Sequence, residues 1–355
     1  RRMPQARTLL FPAEGAEIVA LRCVVAAIAG QDGLCRRHLI DTNHHEGPGE
    51  QGRRGGGVRS DYWDQPAFET VRPRRLVAPI VFNSPHSGRV YPPRFLAMTR
   101  LDHLSIRQSE DAFVDELFAR APHLGAPLLR AHFPRAYLDV NREPWELDPT
   151  MFVEPLSDRF NTNSPRVAAG LGTLARVVAE NKPIYRERLT LEDARMRIDG
   201  IYHPYHAALQ KLLSEAMTGF GLAVLIDCHS MPRIGRHGER AAPDIVLGDR
   251  YGTTCAPGLV DLVETVFTAA GLRVARNRPY AGGFCTRTYG RPQHGVHALQ
   301  IEISRHLYMN EATLEKNAGF EIVRGLMERL MLTLLGLDLV ALAGGPAMPE
   351  KAAAE

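Results

Sequence analysis

The stretch LAVLIDCHS at residues 222–230 decides the fold. Its apolar run leads directly into polar Asp227 and His229. This pattern is typical of a strand of a parallel sheet that is buried on both faces and has polar residues at its carboxyl end. Runs of similar design are IVFNSPHSG (80–88), AYLDVNR (136–142) and ALQIEIS (298–304). Strands of this kind are typical of α/β folds, because helices cover both faces of a parallel sheet.

Short apolar runs alternate with longer amphipathic stretches from residue 76 onward. The predicted strands are 80–83, 128–131, 137–140, 222–227, 244–247 and 298–303. The predicted helices are 111–121, 191–216, 256–270 and 312–335. The second helix is expected to break or kink near Gly200 and Pro204. This alternation predicts a single α/β domain with a central mixed, mostly parallel sheet flanked by helices.

The two ends of the chain differ from the rest. Residues 36–60 read RRHLIDTNHHEGPGEQGRRGGGVRS, which is rich in Gly, Arg and His and has no apolar period. We therefore predict that residues 1–75 are a disordered or non-native extension, in which His44 and His45 are solvated. The folded domain is expected at 76–338, and residues 339–355, made largely of small residues, are expected to be a flexible tail.

Composition excludes several classes of protein. With 45% hydrophobic residues, 23% charged residues and a formal net charge of +3, the chain has the composition of a globular protein. Its arginines form no single basic stripe, so no nucleic-acid partner is expected. Its longest apolar runs fall well short of the roughly 18 residues of a membrane span. Five cysteines without CxxC spacing indicate a reducing compartment, and we expect the cytoplasm.

Polar residues at the predicted strand ends are the first candidates for a functional site, because open α/β sheets bind ligands beyond the carboxyl ends of their strands. His86 and His229 each follow an apolar run. Glu302 stands among Leu, Ile and Ile, where an unpaired carboxylate would be costly to bury. Glu302 is therefore either a structural partner of Arg305 or a general base beside a metal.

These side chains match the inventory of a catalytic zinc site, which needs three protein ligands, an open position for water and a separate base. The acidic pair Glu110–Asp111 offers the third ligand. Taken singly, each histidine is more often an ordinary hydrogen-bonded residue than a metal ligand. Asp227 is a candidate to orient a ligand histidine. The cofactor predicted is one Zn²⁺ per chain, although other divalent metals suit the same ligands.

Three arginines, Arg135, Arg142 and Arg287, flank apolar or Gly-rich segments, where a guanidinium can clamp a substrate carboxylate. Each is equally suited to a surface ion pair. The pair Gly282–Gly283 predicts a turn with close backbone approach. Phosphate-loop, GxSxG and HExxH patterns are absent from the sequence.

A cysteine nucleophile offers a different chemistry. Cys228 precedes His229 directly, so a thiol–imidazole pair is conceivable. Adjacent residues on a strand point to opposite faces, however, which argues against it.

Seven ordered segments carry a resemblance to a known family. They are SPHSGRVYP, SEDAFVDELF, RAYLDVNREPWELDP, LIDCHSMP, PDIVLGDRYGTTCAP, RPYAGGFCTRTYG and VHALQIEISRHLYMNE. Over roughly residues 76–335 the chain resembles the N-formylglutamate amidohydrolases. The resemblance implies a fold similar to that of zinc carboxypeptidases. It also implies hydrolysis of an N-formyl or other N-acyl amino acid, typically N-formylglutamate to glutamate and formate in histidine degradation.

The resemblance also implies roles for individual residues. The metal ligands would be His86, His229 and an acidic residue. Carboxypeptidases place that acidic ligand three residues after the first histidine, where this chain has Arg89, so it must come from elsewhere. Asp111 fits the family's acidic position better than Glu110. Glu302 would activate water, and the residues expected to hold the substrate carboxylates are Asn141, Arg142, Arg135 and Arg287.

Two alternatives remain open at this level. The first is a deacylase or carboxypeptidase-like hydrolase that acts on another N-acyl amino acid or a small peptide. The second is a non-catalytic protein that binds a small carboxylate ligand on the same fold. Glu302 argues against the second, because a pure binder has no use for a general base.

Overall fold

The structure, a computed structural model, describes residues 65–178, 181–234 and 242–336. Most of the predicted N-terminal extension, with His44 and His45, and the whole predicted tail at 339–355 lie outside the described residues. Within them no helix is both long and apolar enough to cross a bilayer.

A seven-stranded mixed sheet forms the centre of the fold. The strands of the described residues are β1 (Phe68–Val71), β2 (Ile80–Ser84), β3 (Leu128–Ala131), β4 (Val177–Val178), β5 (Lys182–Pro183), β6 (Ala223–Met231), β7 (Ile245–Gly248), β8 (Val274–Arg276), β9 (Val296–Ser304), β10 (Met309–Asn310) and β11 (Glu315–Lys316). β4 with β5 and β10 with β11 form two separate two-stranded sheets, and the other seven strands form the central sheet. The sheet has the order β1-β3-β2-β6-β9-β7-β8. Its four central strands β3, β2, β6 and β9 run parallel. β1 pairs antiparallel with β3, and β7 pairs antiparallel with β9 but parallel with β8. The predicted mixed, mostly parallel sheet is confirmed.

Helices cover both faces of this sheet. They are α1 (Pro93–Met98), α2 (His103–Arg107), α3 (Val114–Leu117), α4 (Ala121–Leu124), α5 (Pro165–Ala168), α6 (Leu191–Arg197), α7 (His203–Phe220), α8 (Pro257–Ala269), α9 (Phe284–Tyr289) and α10 (Phe320–Leu335). One face packs against α3, α8 and α10, and the other against α6 and α7. Alternation along each strand divides the core accordingly, so that Phe82 lies in the first layer and its neighbour Val81 in the second.

The first strand lies before residue 76, where the sequence predicted the folded domain to begin. Phe68–Val71 pairs antiparallel with β3 and forms one edge of the sheet. The sheet therefore includes residues that the sequence prediction assigned to the extension.

The strand predicted at 137–140 is wrong. Tyr137 and Leu138 instead donate backbone hydrogen bonds to Pro134 O, and Asp139 donates to Thr173 O. Leu138 and Val140 are buried all the same. The apolar pattern thus reported burial correctly, but turn and loop hydrogen bonds satisfy the backbone in place of a strand ladder.

Two predicted helices are shorter than expected. In the segment 111–121, Phe113 adopts a left-handed conformation with φ of 65°, so Asp111 precedes α3 rather than lying in it. The C-terminal helix begins at Phe320 because the residues before it form the hairpin of β10 and β11. The predicted kink at Gly200 and Pro204 is present as a π-helical turn at Ile198–Tyr202 between α6 and α7.

Candidate metal and catalytic site

Three adjacent parallel strands bring the predicted site residues together. His86 lies just after β2, His229 lies near the end of β6, and Glu302 lies in β9. The pairing of β6 with β9 sets His229 opposite Glu302. Because all three strands run in the same direction, their carboxyl ends meet at one edge of the sheet.

His86, Asp111 and His229 form a buried cluster suited to a cation. One ligand atom from each residue lies within 4.8 Å of the others. Asp111 Oδ2 is 3.0 Å from His229 Nδ1 and 3.5 Å from His86 Nδ1. The backbone N–H of Asp111 donates to His86 O at 3.0 Å, which fixes this aspartate beside the first histidine.

The far nitrogens of both rings are held by carboxylates. His86 Nε2 is 2.7 Å from Asp139 Oδ1, and His229 Nε2 is 3.0 Å from Asp227 Oδ2. When each Nε2 carries the proton, each Nδ1 presents a lone pair toward Asp111. Buried His86 Nδ1 has no hydrogen-bond partner among the described residues. Two oriented imidazoles, one unpaired ring nitrogen and a carboxylate are the donor set that a divalent cation requires, so these residues fit a metal.

The two members of the acidic pair have different surroundings. Glu110 accepts hydrogen bonds from Tyr91 Oη at 2.8 Å and from Arg107 Nε at 3.0 Å, and it does not belong to the cluster. Asp111 is the member that lies with the two histidines. The geometry therefore favours Asp111 as the acidic ligand.

Arg305 has a different partner from the one that the sequence suggested. Its Nη2 lies 3.1 Å from Asp111 Oδ1, while its Nε donates to Ser230 Oγ at 3.2 Å. No ion pair joins Arg305 to Glu302 among the described residues. Because Arg305 occupies Oδ1 of Asp111, the other oxygen, Oδ2, is left to face the two histidines.

The electrostatics of the cluster favour positive charge between the rings. Burial alone would lower the pKa of His229, but Asp227 and Asp111 raise this pKa well above its usual value. Burial alone would raise the pKa of Asp111, but the adjacent imidazole rings of His229 and His86 hold that pKa well below its usual range. A cation bound here would compensate the negative charges of Asp111 and Asp227.

Glu302 combines burial with a pKa suited to proton transfer. Burial raises the pKa of its carboxyl group to about 7, and Asp111 adds to the rise, while His229, Arg135 and Arg305 oppose it. Its Oε1 accepts a hydrogen bond from Gln300 Nε2 at 2.8 Å. A carboxylate with a pKa near neutrality can both accept and return a proton.

Asp139 gathers two of the arginines predicted to bind substrate. Arg135 Nη2 is 2.8 Å and Arg142 Nη2 is 3.8 Å from Asp139 Oδ2. Arg142 also donates to Leu171 O and to Asn141 O. Both guanidinium groups are thus held beside His86, because Asp139 contacts that ring through its other oxygen.

The side-chain amide of Asn141 contacts other protein groups through both its oxygen and its nitrogen. Its Oδ1 accepts from Cys285 N at 2.8 Å, and its Nδ2 lies 3.4 Å from Asp227 Oδ2 and 3.2 Å from His229 Nε2. These contacts give Asn141 a role in locating the His229–Asp227 pair, in addition to any contact with substrate.

Arg287 lies farther out, half-exposed on α9 and 3.9 Å from Glu143 Oε2. Arg250, which the sequence reading did not single out, lies near it and packs its Cγ against the glycine of the predicted turn at Gly282. Burial and the positive charges of Arg287 and Arg166 lower the pKa of Arg250. A group of guanidiniums that repel one another attracts an anionic ligand.

The cysteine alternative fails on geometry. Cys228 Sγ donates to Ile226 O at 3.4 Å and lies in the apolar layer on the opposite face from His229. Burial raises the pKa of this thiol well above its usual value. Cys228 is therefore a core residue rather than a nucleophile.

Asp139 and Gln300 are site residues that the sequence reading missed. Asp139 stood inside a run taken for a strand, and the acidic residue next to a buried apolar stretch was the signal for it. Gln300 carried a plainer signal, because residues two apart on a strand share a face and Gln300 precedes Glu302 by two.

Comparison with known proteins agrees with this geometry. The model of the protein family described as N-formylglutamate amidohydrolase matches residues 78–309 of this chain. An N-formylglutamate deformylase from Pseudomonas aeruginosa is 29% identical over 273 residues, which cover 75% of this chain and 96% of the relative. One from Pseudomonas putida is 30% identical over 206 residues, covering 57% of this chain and 71% of the relative.

Solved structures give the same picture. The crystal structure of N-formylglutamate amidohydrolase from Ralstonia eutropha JMP134 is 38% identical, with a TM-score of 0.71 and coverage of 76% of this chain and 97% of the other. A gene product of Agrobacterium tumefaciens is 19% identical with a TM-score of 0.55 and shares the fold. From the matched family model and the 38% identity to a solved member, the chain belongs to the N-formylglutamate amidohydrolase family.

Proposed function

We propose that this chain is a metal-dependent hydrolase that converts N-formyl-L-glutamate and water to L-glutamate and formate, as a step of histidine degradation in the cytoplasm. The observation that carries the proposal is the buried cluster of His86, Asp111 and His229 beside Glu302. The names of the curated relatives support the substrate.

The donor set favours Zn²⁺ as the ion, since two imidazoles and one carboxylate leave an open position. Three residues would hold it, namely His86 through Nδ1, His229 through Nδ1 and Asp111 through Oδ2. A bound cation of this kind supplies Lewis acidity, which lowers the pKa of water and polarises a carbonyl oxygen.

Glu302 performs the proton transfers. Its carboxylate takes a proton from the attacking water as the new C–O bond forms at the formyl carbon. It then returns that proton to the amide nitrogen as the C–N bond breaks, which gives the free amine and formic acid, and the formic acid loses its proton to solvent and leaves as formate. The pKa of about 7 suits both directions of transfer.

The arginines bind and orient the substrate in this proposal. Arg135 and Arg142, held by Asp139 beside the cluster, are suited to the α-carboxylate. Arg287 and Arg250 extend the positive region outward and are suited to the side-chain carboxylate. Two carboxylates bound at separate places would fix the formyl group against Glu302, and such orientation accounts for much of an enzyme's rate.

Formate release from a panel of substrates tests the proposal. N-formyl-L-glutamate should be cleaved faster than N-acetyl-L-glutamate, N-formyl-L-glutamine or dipeptides that end in glutamate. Glu302→Gln should lower kcat by roughly 10²- to 10⁴-fold, because general acid–base catalysis contributes a factor of that order. Faster cleavage of another N-acyl amino acid would identify a deacylase, whereas binding without turnover of any substrate would identify a carboxylate-binding protein.

A further inference from the structure

Gln300 and Glu302 lie on the same face of β9, because they are two residues apart on one strand. Gln300 is 4% exposed and lies opposite Asp227 on β6 and Gly248 on β7. A buried primary amide must satisfy both its oxygen and its nitrogen with hydrogen bonds, so its partners define its role.

The orientation of this amide follows from its partners. The backbone N–H of Gly283 lies 2.9 Å from Gln300 Oε1, and a backbone N–H can only donate. The amide oxygen therefore faces Gly283, and the NH₂ group faces Glu302 Oε1 at 2.8 Å. A flipped amide would set a donor against a donor and an acceptor against a carboxylate.

This hydrogen bond gives the two carboxylate oxygens of Glu302 different roles. Among the described residues, the bond from Gln300 is the one that Glu302 receives. It fixes Oε1 and the side-chain rotamer of Glu302, which leaves Oε2 free to take a proton from the attacking water.

The other end of the amide is tied to the substrate side of the site. Gly283 approaches Asn141 so closely that an added Cβ would lie 2.3 Å from the Asn141 amide nitrogen. Asn141 in turn precedes Arg142 and contacts His229 Nε2 at 3.2 Å. Gln300 thus connects the turn at Gly282–Gly283 to the catalytic carboxylate.

We propose that Gln300 is a positioning residue: anchored by Gly283 N–H, it holds Glu302 in the rotamer that reaches the attacking water. The inference rests on the proposed function for its kinetic consequence, but it concerns the geometry of Glu302 itself. It predicts that loss of the amide harms the chemical step more than the binding of substrate or metal.

Gln300→Met tests this directly, since Met has similar length and fills the same space without donating. The expected result is a fall in kcat of about 10²-fold, because a misplacement of about 1 Å costs that much. KM for N-formyl-L-glutamate should stay within about threefold of the wild-type value, since ground-state binding is untouched. Bound metal per chain should also be unchanged.

Thr254→Val is the matched control. Thr254 Oγ1 donates to Ala298 O at 2.9 Å, so this variant also removes a buried hydrogen bond next to β9, but it leaves Glu302 alone. It should lower the melting temperature while kcat stays near that of the wild type. The inference is overturned if Gln300→Met keeps its kcat, or if kcat and metal content fall and KM rises together as the melting temperature falls.

Crystal structures of the variants decide the geometric claim independently of turnover. In Gln300→Met, Glu302 should leave its wild-type rotamer while His86, Asp111 and His229 stay in place. Should Gln300→Met fail to fold, Gln300→Asn keeps a buried amide that is too short to reach both partners and should displace Glu302 in the same way. An unmoved Glu302 would overturn the inference. Wild-type protein that releases no formate while these structures show the displacement would instead refute the proposed function alone.

Discussion

His229 and Glu302 are register partners across the parallel pair of β6 and β9. Neighbouring strands lie about 4.8 Å apart, so backbone pairing alone places the candidate ligand beside the candidate base. No loop has to fold into place to bring these two side chains together. This pair is therefore built on two central strands of the sheet, and His86 lies just after β2, the strand next to β6.

The carboxylates behind the two histidines should control metal affinity. We expect Asp139→Asn and Asp227→Asn each to weaken metal binding about 10- to 100-fold, because the orienting hydrogen bond to the ligand ring is altered. Competition with a chromophoric chelator measures this affinity. Asp261→Asn, at an exposed carboxylate paired with Arg276, is the control and should bind metal as the wild type does. Unchanged affinity in both site variants would contradict this assignment.

The outer arginines should select for a side-chain carboxylate. We expect Arg250→Met and Arg287→Met each to raise KM for N-formyl-L-glutamate about 10- to 100-fold, the size expected when a hydrogen bond between charged groups is lost. KM for N-formyl-L-glutamine should change much less. Arg276→Met, which removes a surface guanidinium paired with Asp261, is the control. Equal effects on both substrates would show that these arginines do not contact the side chain.

The rate should rise with pH across the acidic range. Burial raises the pKa of Glu302 to about 7, and the base acts only when ionised. We therefore expect kcat/KM to increase with pH, with the midpoint of the rise near pH 7 and a plateau above it. A bound cation favours the carboxylate and would shift this midpoint to lower pH. Arg135 lowers the pKa of Glu302, so Arg135→Met should shift the rise in kcat/KM to higher pH. A rate that falls between pH 5 and 7 would remove Glu302 from the role of base.

Stability should depend on pH through a histidine outside the site. Burial lowers the pKa of His206 to about 4, and its ring nitrogens contact Tyr289 Oη and Val140 O. The unfolded chain has a pKa of about 6.5 at this residue, so protons bind preferentially to the unfolded state between the two values. Stability is fully present above about pH 6.5, and about 3 kcal/mol should be lost as the pH falls to about 4.

Urea unfolding at a series of pH values measures this loss. His206→Gln should be less stable at pH 7 but should lose less stability on acidification. His203→Gln, at an exposed position on the same helix, should follow the wild-type curve. Parallel curves for His206→Gln and the wild type would contradict the assignment.

Much of the fold was predictable because the central strands are apolar on both faces. The runs at 80–83, 128–131 and 298–303 lie in strands, and the run at 244–247 does so from Ile245 onward, as their sequences indicated. The run at 137–140 shows the limit, since burial leaves the same pattern in a loop as in a strand. Strand β1 is half-buried at the edge of the sheet, so it left no strong apolar signal.

The candidate site was predictable at its strand ends and less so in its loops. His86, His229 and Glu302 stand out because a polar residue interrupts or follows an apolar run. The choice between Glu110 and Asp111 needed the structure, because Phe113 with φ of 65° turns the chain there in a way that no helical pattern foretells. Asp139 could not be identified from the sequence either, because its partner His86 lies 53 residues away along the chain.

Metal content and formate release, measured on the same purified protein, test the central claim most directly. We predict about one divalent metal per chain, loss of formate release on chelation, and recovery on titration with Zn²⁺ that is complete at one equivalent. His86→Ala and His229→Ala should lose both the metal and the recovery, whereas Glu302→Gln should keep the metal and lose formate release. Full formate release from metal-free protein, or from either histidine variant, would contradict the account.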